Sequence, residues 1–131
     1  MSKDKKILLV DDDVDFLKQT KIRLEAENFA VLTAESKAEA EELLETGEQI
    51  DLAIIDIMME DEDAGFALAY KIKSLDQDMP VIITSAVTSE TGMEFDAKTD
   101  EEKSWIKADT FIPKPIRYEQ LFTEIKKLTK E

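Results

Sequence analysis

Ile7-Leu8-Leu9-Val10-Asp11-Asp12-Asp13 is the stretch that decides the fold. Four apolar residues in a row, without polar alternation, are too few for a helix and read as a strand covered on both faces. The strand then stops abruptly on three acids. Working outward, the same pattern recurs. Residues 29–32 form a second short run, and residues 52–55 a third, which again ends on an acid, Asp56. Pro80 opens the β-branched run 81–83, and Phe111-Ile112 is a brief last one. Helical stripes lie between them: Val14, Leu17 and Leu24; Ala40, Leu43 and Leu44; Leu68, Ile72 and Leu75; and finally Leu121, Ile125 and Leu128. Ser36 and Glu39 form a capping box for the second stripe, and Gly47 fits its stop. Strands buried between two helical layers and alternating with helices imply an α/β fold. It is a doubly wound parallel sheet of about five strands.

The 131 residues suit one domain, 1–131, large enough to bury roughly two-thirds of its unfolded surface. Seventeen basic against 31 acidic residues leave a net charge of −14, which opposes direct binding to nucleic-acid phosphate or an anionic membrane. Cysteine and histidine are both absent. That removes disulfides, thiolate and imidazole metal sites, cysteine nucleophiles, Ser-His-Asp chemistry and any phosphohistidine on this chain. The charged start is no signal peptide and no apolar run approaches a membrane span, so a cytoplasmic location is expected.

Open sheets of this kind bind ligands beyond the carboxyl ends of the strands. The residues there are Asp11, Asp12 and Asp13, Ser36, Asp56, Thr84-Ser85 and Lys114. If the first and third strands are neighbours, two or three carboxylates converge. Carboxylates about 4 Å apart repel by several kcal/mol even at an effective dielectric near 20, so the cluster calls for a proton or a cation. With oxygen donors only, the fitting cation is Mg²⁺, with Mn²⁺ as a substitute. Alternatively the three consecutive acids are an exposed turn, with Asp13 as N-cap of the next helix. Lys114, between Pro113 and Pro115, is either a surface lysine or an ammonium held rigidly beside the acids. Thr84 or Ser85 would add a hydroxyl.

In the residues 7–12, 51–59, 80–86 and 111–115, in that order and spacing, the chain resembles the receiver domains of two-component response regulators. The resemblance spans nearly all of it. It implies the flavodoxin-like receiver fold with strand order 2-1-3-4-5, an order shared by flavodoxin and the chemotaxis receiver. It implies Asp56 as phosphoacceptor, and Asp11, Asp12, Asp56 and the Met58 carbonyl around Mg²⁺. Lys114 and Ser85 would serve the phosphoryl oxygens, Ser85 being preferred to Thr84 because the small Ala86 follows it. Ser85 and Phe111 would form the switch, Asp13 would be a bystander, and the Lys114–Pro115 bond would be cis. A sensor histidine kinase is the implied phosphodonor. The chain is then a signalling phosphoacceptor that assists its own phosphorylation and dephosphorylation, rather than an enzyme. The helix expected between the fourth and fifth strands, with that fifth strand, would present the face for a downstream protein target, a separate output domain or a phosphorylation-dependent homodimer. No further cofactor site and no output domain within the chain are expected.

Several residues depart from the family pattern. Glu60 stands where proline is usual, within the acidic stretch 60–63. The segment 87–109 is long and carries Gly92, Phe95 and Trp105, which points to a partner contact different from the common one. Ala108-Asp109 replaces the usual Gly-Ala. Apolar Met58 and Val87 would impede water and lengthen the phosphate lifetime. Two rival readings are a receiver-like scaffold independent of phosphorylation and a small haloacid-dehalogenase-type phosphatase. The latter lacks a suitable acidic pair after Lys114.

Overall fold

A computed structural model describes residues 5–47, 49–56, 64–76, 78–85, 109–113 and 116–129, without the side chains at 64–66, 85, 111 and 113. Five strands form one parallel sheet: β1 (Lys6–Val10), β2 (Ala30–Ala34), β3 (Leu52–Asp56), β4 (Val81–Ser85) and β5 (Thr110–Pro113). Their spatial order is β2-β1-β3-β4-β5, as the resemblance implied. Four helices are described: α1 (Val14–Ala26), α2 (Lys37–Glu45), α3 (Ala64–Leu75) and α4 (Tyr118–Thr129).

The unbroken apolar strands have the expected cause, a core on each face of the sheet. Leu8, Val10, Ala53, Ile55, Val81 and Ile83 meet α2 and α3 on one side. Ile7, Leu9, Leu52, Ile54, Ile82 and Ile112 meet α1 and α4 on the other. Alternate residues of each strand therefore feed different cores, and neither face tolerates a polar residue cheaply.

Local signals set the element ends. Asp13 caps α1, its carboxylate accepting the Phe16 amide at 3.2 Å. Ser36 caps α2 by accepting the Glu39 amide at 3.1 Å. The Glu39 carboxylate reaches back to the Glu35 amide at 2.8 Å, one residue before the cap. Past the end of α2, Gly47 adopts φ +85, which side chains rarely accept.

Two stripes differ from expectation at their ends. Val14 is 40% and Leu75 62% exposed, and Ala69 takes the third inward position on α3 beside Leu68 and Ile72. Val14 begins α1 and Leu75 ends α3. Periodicity identifies the face of a helix, not the length of it that lies over the sheet. The second strand also starts one residue later than its apolar run, because Phe29 packs into the α1/α4 core ahead of the strand.

Candidate functional site

The register of the sheet assembles the site. Val10 pairs with Ile55 across β1 and β3, so Asp11 follows one strand end while Asp56 closes the other. Asp56 in turn pairs with Thr84, and Ser85 with Pro113. The backbone of β4 therefore brings Ser85 to the same carboxyl edge, and β5 ends there immediately before Lys114 in the sequence.

The three consecutive acids divide their work. Asp11 is fully buried. Its amide donates to the Ala34 carbonyl at 3.1 Å, extending the β1–β2 ladder, and its carboxylate accepts the Asp13 amide at 2.9 Å. That local bond fixes the turn out of β1. Asp13 spends its carboxylate on capping α1. Asp12, between them, is exposed. One carboxylate oxygen each from Asp11, Asp12 and Asp56 lies within 4.8 Å of the others.

Asp56 is only 4% exposed. Three carboxylates at this separation, two of them buried, repel strongly and bring no attraction of their own. Such a group is stabilised by a positive charge, and its donors are all oxygen. They suit a hard divalent cation that accepts carboxylates together with water, entering from the solvent-facing Asp12 side. Thr84 is 1% exposed with its hydroxyl 3.5 Å from the Ile55 carbonyl, so it faces the interior just behind Asp56.

The structure thus brings Asp11, Asp12 and Asp56 together. Met58, Lys114 with its bond to Pro115, the acidic stretch 60–63, Val87, Gly92, Phe95 and Trp105 lie outside the described residues, as do the side chains of Ser85 and Phe111. Asp109 is described, and its role was not foreseen. Its carboxylate accepts from the Lys73 ammonium at 2.9 Å and from the Val81 amide at 2.8 Å, tying α3 to the starts of β4 and β5. An acid in place of the small family residue was the only signal. Thr20 and Tyr118 were also missed, though a threonine inside the stripe Leu17–Leu24 announces a buried hydroxyl in need of a partner.

Comparison with known proteins agrees with this geometry. The profile of the response regulator receiver domain matches residues 7–126. This chain belongs to that family. The heme response regulator HssR of Staphylococcus aureus strain RF122 is 35% identical over 120 residues, covering 91% of this chain and 49% of HssR. The transcriptional regulatory protein GlrR of Escherichia coli K12 is 44% identical over 80 residues, covering 61% of this chain and 18% of GlrR. The chain therefore spans half or less of these curated relatives. Among solved structures, a CheY-like receiver from Methanospirillum hungatei superposes with a TM-score of 0.80 at 29% identity, over 98% of this chain and 95% of that one. TrrA of Thermotoga maritima, crystallised in complex with Mg²⁺-BeF, gives 0.76 at 29% identity over 95% and 98%.

The chain is a receiver domain of the two-component response-regulator type, a signalling domain whose acidic pocket fits a phosphoacceptor site. The match leaves the dehalogenase-type phosphatase without support. Among the described residues, no helix is long and apolar enough to cross a membrane.

Proposed function

We propose that residues 1–131 are one cytoplasmic receiver unit that takes a phosphoryl group from a sensor histidine kinase onto Asp56. The convergence of Asp11, Asp12 and Asp56 carries this reading. A carboxylate oxygen of Asp56 attacks the phosphorus. One O–P bond forms as the bond to the donor's leaving atom breaks, and the leaving group departs with the bonding electrons. The product is an aspartyl phosphate. Phosphoryl transfer asks mainly for positioning and for neutralisation of charge on the equatorial oxygens. Asp11 and Asp12, with Asp56 and the Met58 carbonyl, would hold Mg²⁺, which when bound supplies charge neutralisation. Mn²⁺ would substitute for it. Lys114 would bring an ammonium to the phosphoryl oxygens and Ser85 a hydroxyl. Asp11, buried and tied to the Asp13 amide, keeps its carboxylate in place without help from a ligand.

Ser85 bonding to the phosphoryl group, with Phe111 following it inward, biases a two-state equilibrium and alters the face ahead of β5. The segment 87–109, with Gly92, Phe95 and Trp105, supplies the contacts that distinguish its partner. That partner is a downstream protein, an output domain or a second copy. Met58 and Val87 slow hydrolysis by excluding water.

The test is the intact mass of the protein after incubation with acetyl phosphate, for wild type and Asp56→Asn, with Mg²⁺ or with a chelator. A magnesium-dependent phosphoryl adduct is expected on wild type alone. A wild type that binds Mg²⁺ yet never gains the adduct would overturn the reading in favour of a phosphorylation-independent scaffold.

A further inference from the structure

Opposite the α2 and α3 layer, one polar contact lies within the apolar α1/α4 interface. Thr20, on α1, is fully buried, and its hydroxyl lies 3.2 Å from that of Tyr118, the first residue of α4; either can donate. The Tyr118 ring is held from two further directions. The Arg23 guanidinium carbon sits 4.8 Å from its centroid, and the Phe122 ring is 6.3 Å away and tilted by 33°. Thr20 is buried and Tyr118 half-buried, so losing the Tyr118 hydroxyl deprives a core hydroxyl of this partner, and the contact favours one relative placement of the two helices.

The two helices carry different parts of the machinery. α1 starts from its Asp13 cap, which is bonded directly to Asp11, and Thr20 lies two turns, roughly 10 Å, farther along the same rigid helix. α4 starts where the chain leaves β5. No Ser, Thr, Asp or Asn caps it: the first backbone bond runs from the Leu121 amide to the Arg117 carbonyl at 3.0 Å. With no capping side chain at Arg117, the start of α4 is held by the packing of Ile116 and Leu121 and by the polar tie through Tyr118. Only Lys114, Pro115, Ile116 and Arg117 separate Tyr118 from the end of β5.

We propose that Tyr118, through Thr20, is a positioning residue for phosphoryl transfer. The contact sets the first turn of α4 against α1, whose cap is bonded to Asp11, and Tyr118 follows Lys114 by four positions in the sequence. This rests on the phosphoacceptor reading of Asp56.

The experiment follows the first-order rate of adduct formation at saturating acetyl phosphate and Mg²⁺ in wild type, Thr20→Val, Thr20→Ser, Tyr118→Phe and the Thr20→Val/Tyr118→Phe double variant. Mg²⁺ affinity and Tm are measured alongside. Thr20→Val and Tyr118→Phe should each slow the reaction about two- to tenfold, the range one net hydrogen bond supplies. The double variant should be no slower than the worse single, because both remove the same contact. Thr20→Ser loses a buried methyl group and some Tm but keeps the hydroxyl, so its rate should stay near wild type. Mg²⁺ affinity should be unchanged throughout. Rates that do not move in Thr20→Val and Tyr118→Phe, rates that follow Tm so that Thr20→Ser is as slow as Thr20→Val, or a matching loss of Mg²⁺ affinity would each overturn the assignment. A wild type that takes no adduct would instead overturn the phosphoacceptor reading, and this positioning role with it.

Discussion

At the scale of single residues, three acids adjacent in sequence have three different environments, and their substitutions should separate accordingly. Asp12 is exposed and adds charge to the cluster, so Asp12→Asn should weaken Mg²⁺ binding about tenfold or more while leaving Tm within a degree or two. Asp13→Ala should do the reverse. It removes the cap on the Phe16 amide, costs about 1 kcal/mol of stability and leaves Mg²⁺ affinity close to wild type. Isothermal titration with Mg²⁺ beside thermal melts checks both, and equal Mg²⁺ affinities for the two variants would contradict the division of roles. The acid cluster was legible in the sequence because an acid ending a buried strand is expensive without a use. Residue type alone left the choice between cap and cluster member open, since Asp11, Asp12 and Asp13 differ in burial and hydrogen bonding; only the family resemblance set Asp13 apart.

At the scale of elements, the helix boundaries rest on short-range chemistry and were correspondingly readable. Ser36 and Glu39 close the start of α2 as their spacing predicts, so Ser36→Ala should cost about 1 kcal/mol, or roughly 4 °C in Tm. An unchanged melt would mean that packing of Ala40, Leu43 and Leu44 alone holds the helix. One helix further on, α2 and α3 are joined through charge. Glu41 accepts from Lys37 at 2.8 Å and lies 4.0 Å from Lys71. The hydrogen bond from Lys37 and the nearby positive charges hold the Glu41 carboxyl below its usual 4.5, against a smaller opposing effect of burial. Because the folded value is the lower one, the stabilisation is complete above about pH 4.5 and disappears as pH falls through the folded value. Glu41→Gln should therefore be less stable than wild type near neutrality and converge with it in acid. Denaturant melts at pH 7 and below pH 4 decide this, and a difference that persists in acid would exclude the ion pair as its cause. Contacts between distant elements were the illegible part. Lys73 with Asp109, and Thr20 with Tyr118, join residues 36 and 98 positions apart, which no local pattern encodes.

For the molecule as a whole, the parallel order of five strands places Asp11 and Asp56 side by side although they stand 45 positions apart, while the sequence as a whole carries a net charge of −14. Salt and a bound cation should therefore both stabilise it, by different routes. Screening of general self-repulsion depends on ionic strength alone. A specific site responds to the cation itself: a ligand at a hundred times its Kd stabilises the folded state by about 2.7 kcal/mol, worth roughly 10 °C here if the unfolded chain does not compete for it. Melts in MgCl₂ and in NaCl at matched ionic strength separate the two contributions. Wild type should melt markedly higher in MgCl₂, and MnCl₂ should act similarly. Asp12→Asn should gain much less from MgCl₂ while keeping its response to NaCl, because one lost charge hardly alters the overall field but takes a carboxylate out of the cluster. Equal shifts in the two salts would mean that the acids act only as diffuse charge, and the metal assignment would fall. A wild-type excess that survives intact in Asp12→Asn would place the cation at other carboxylates, because the pocket formed by β1 and β3 would then contribute nothing to it.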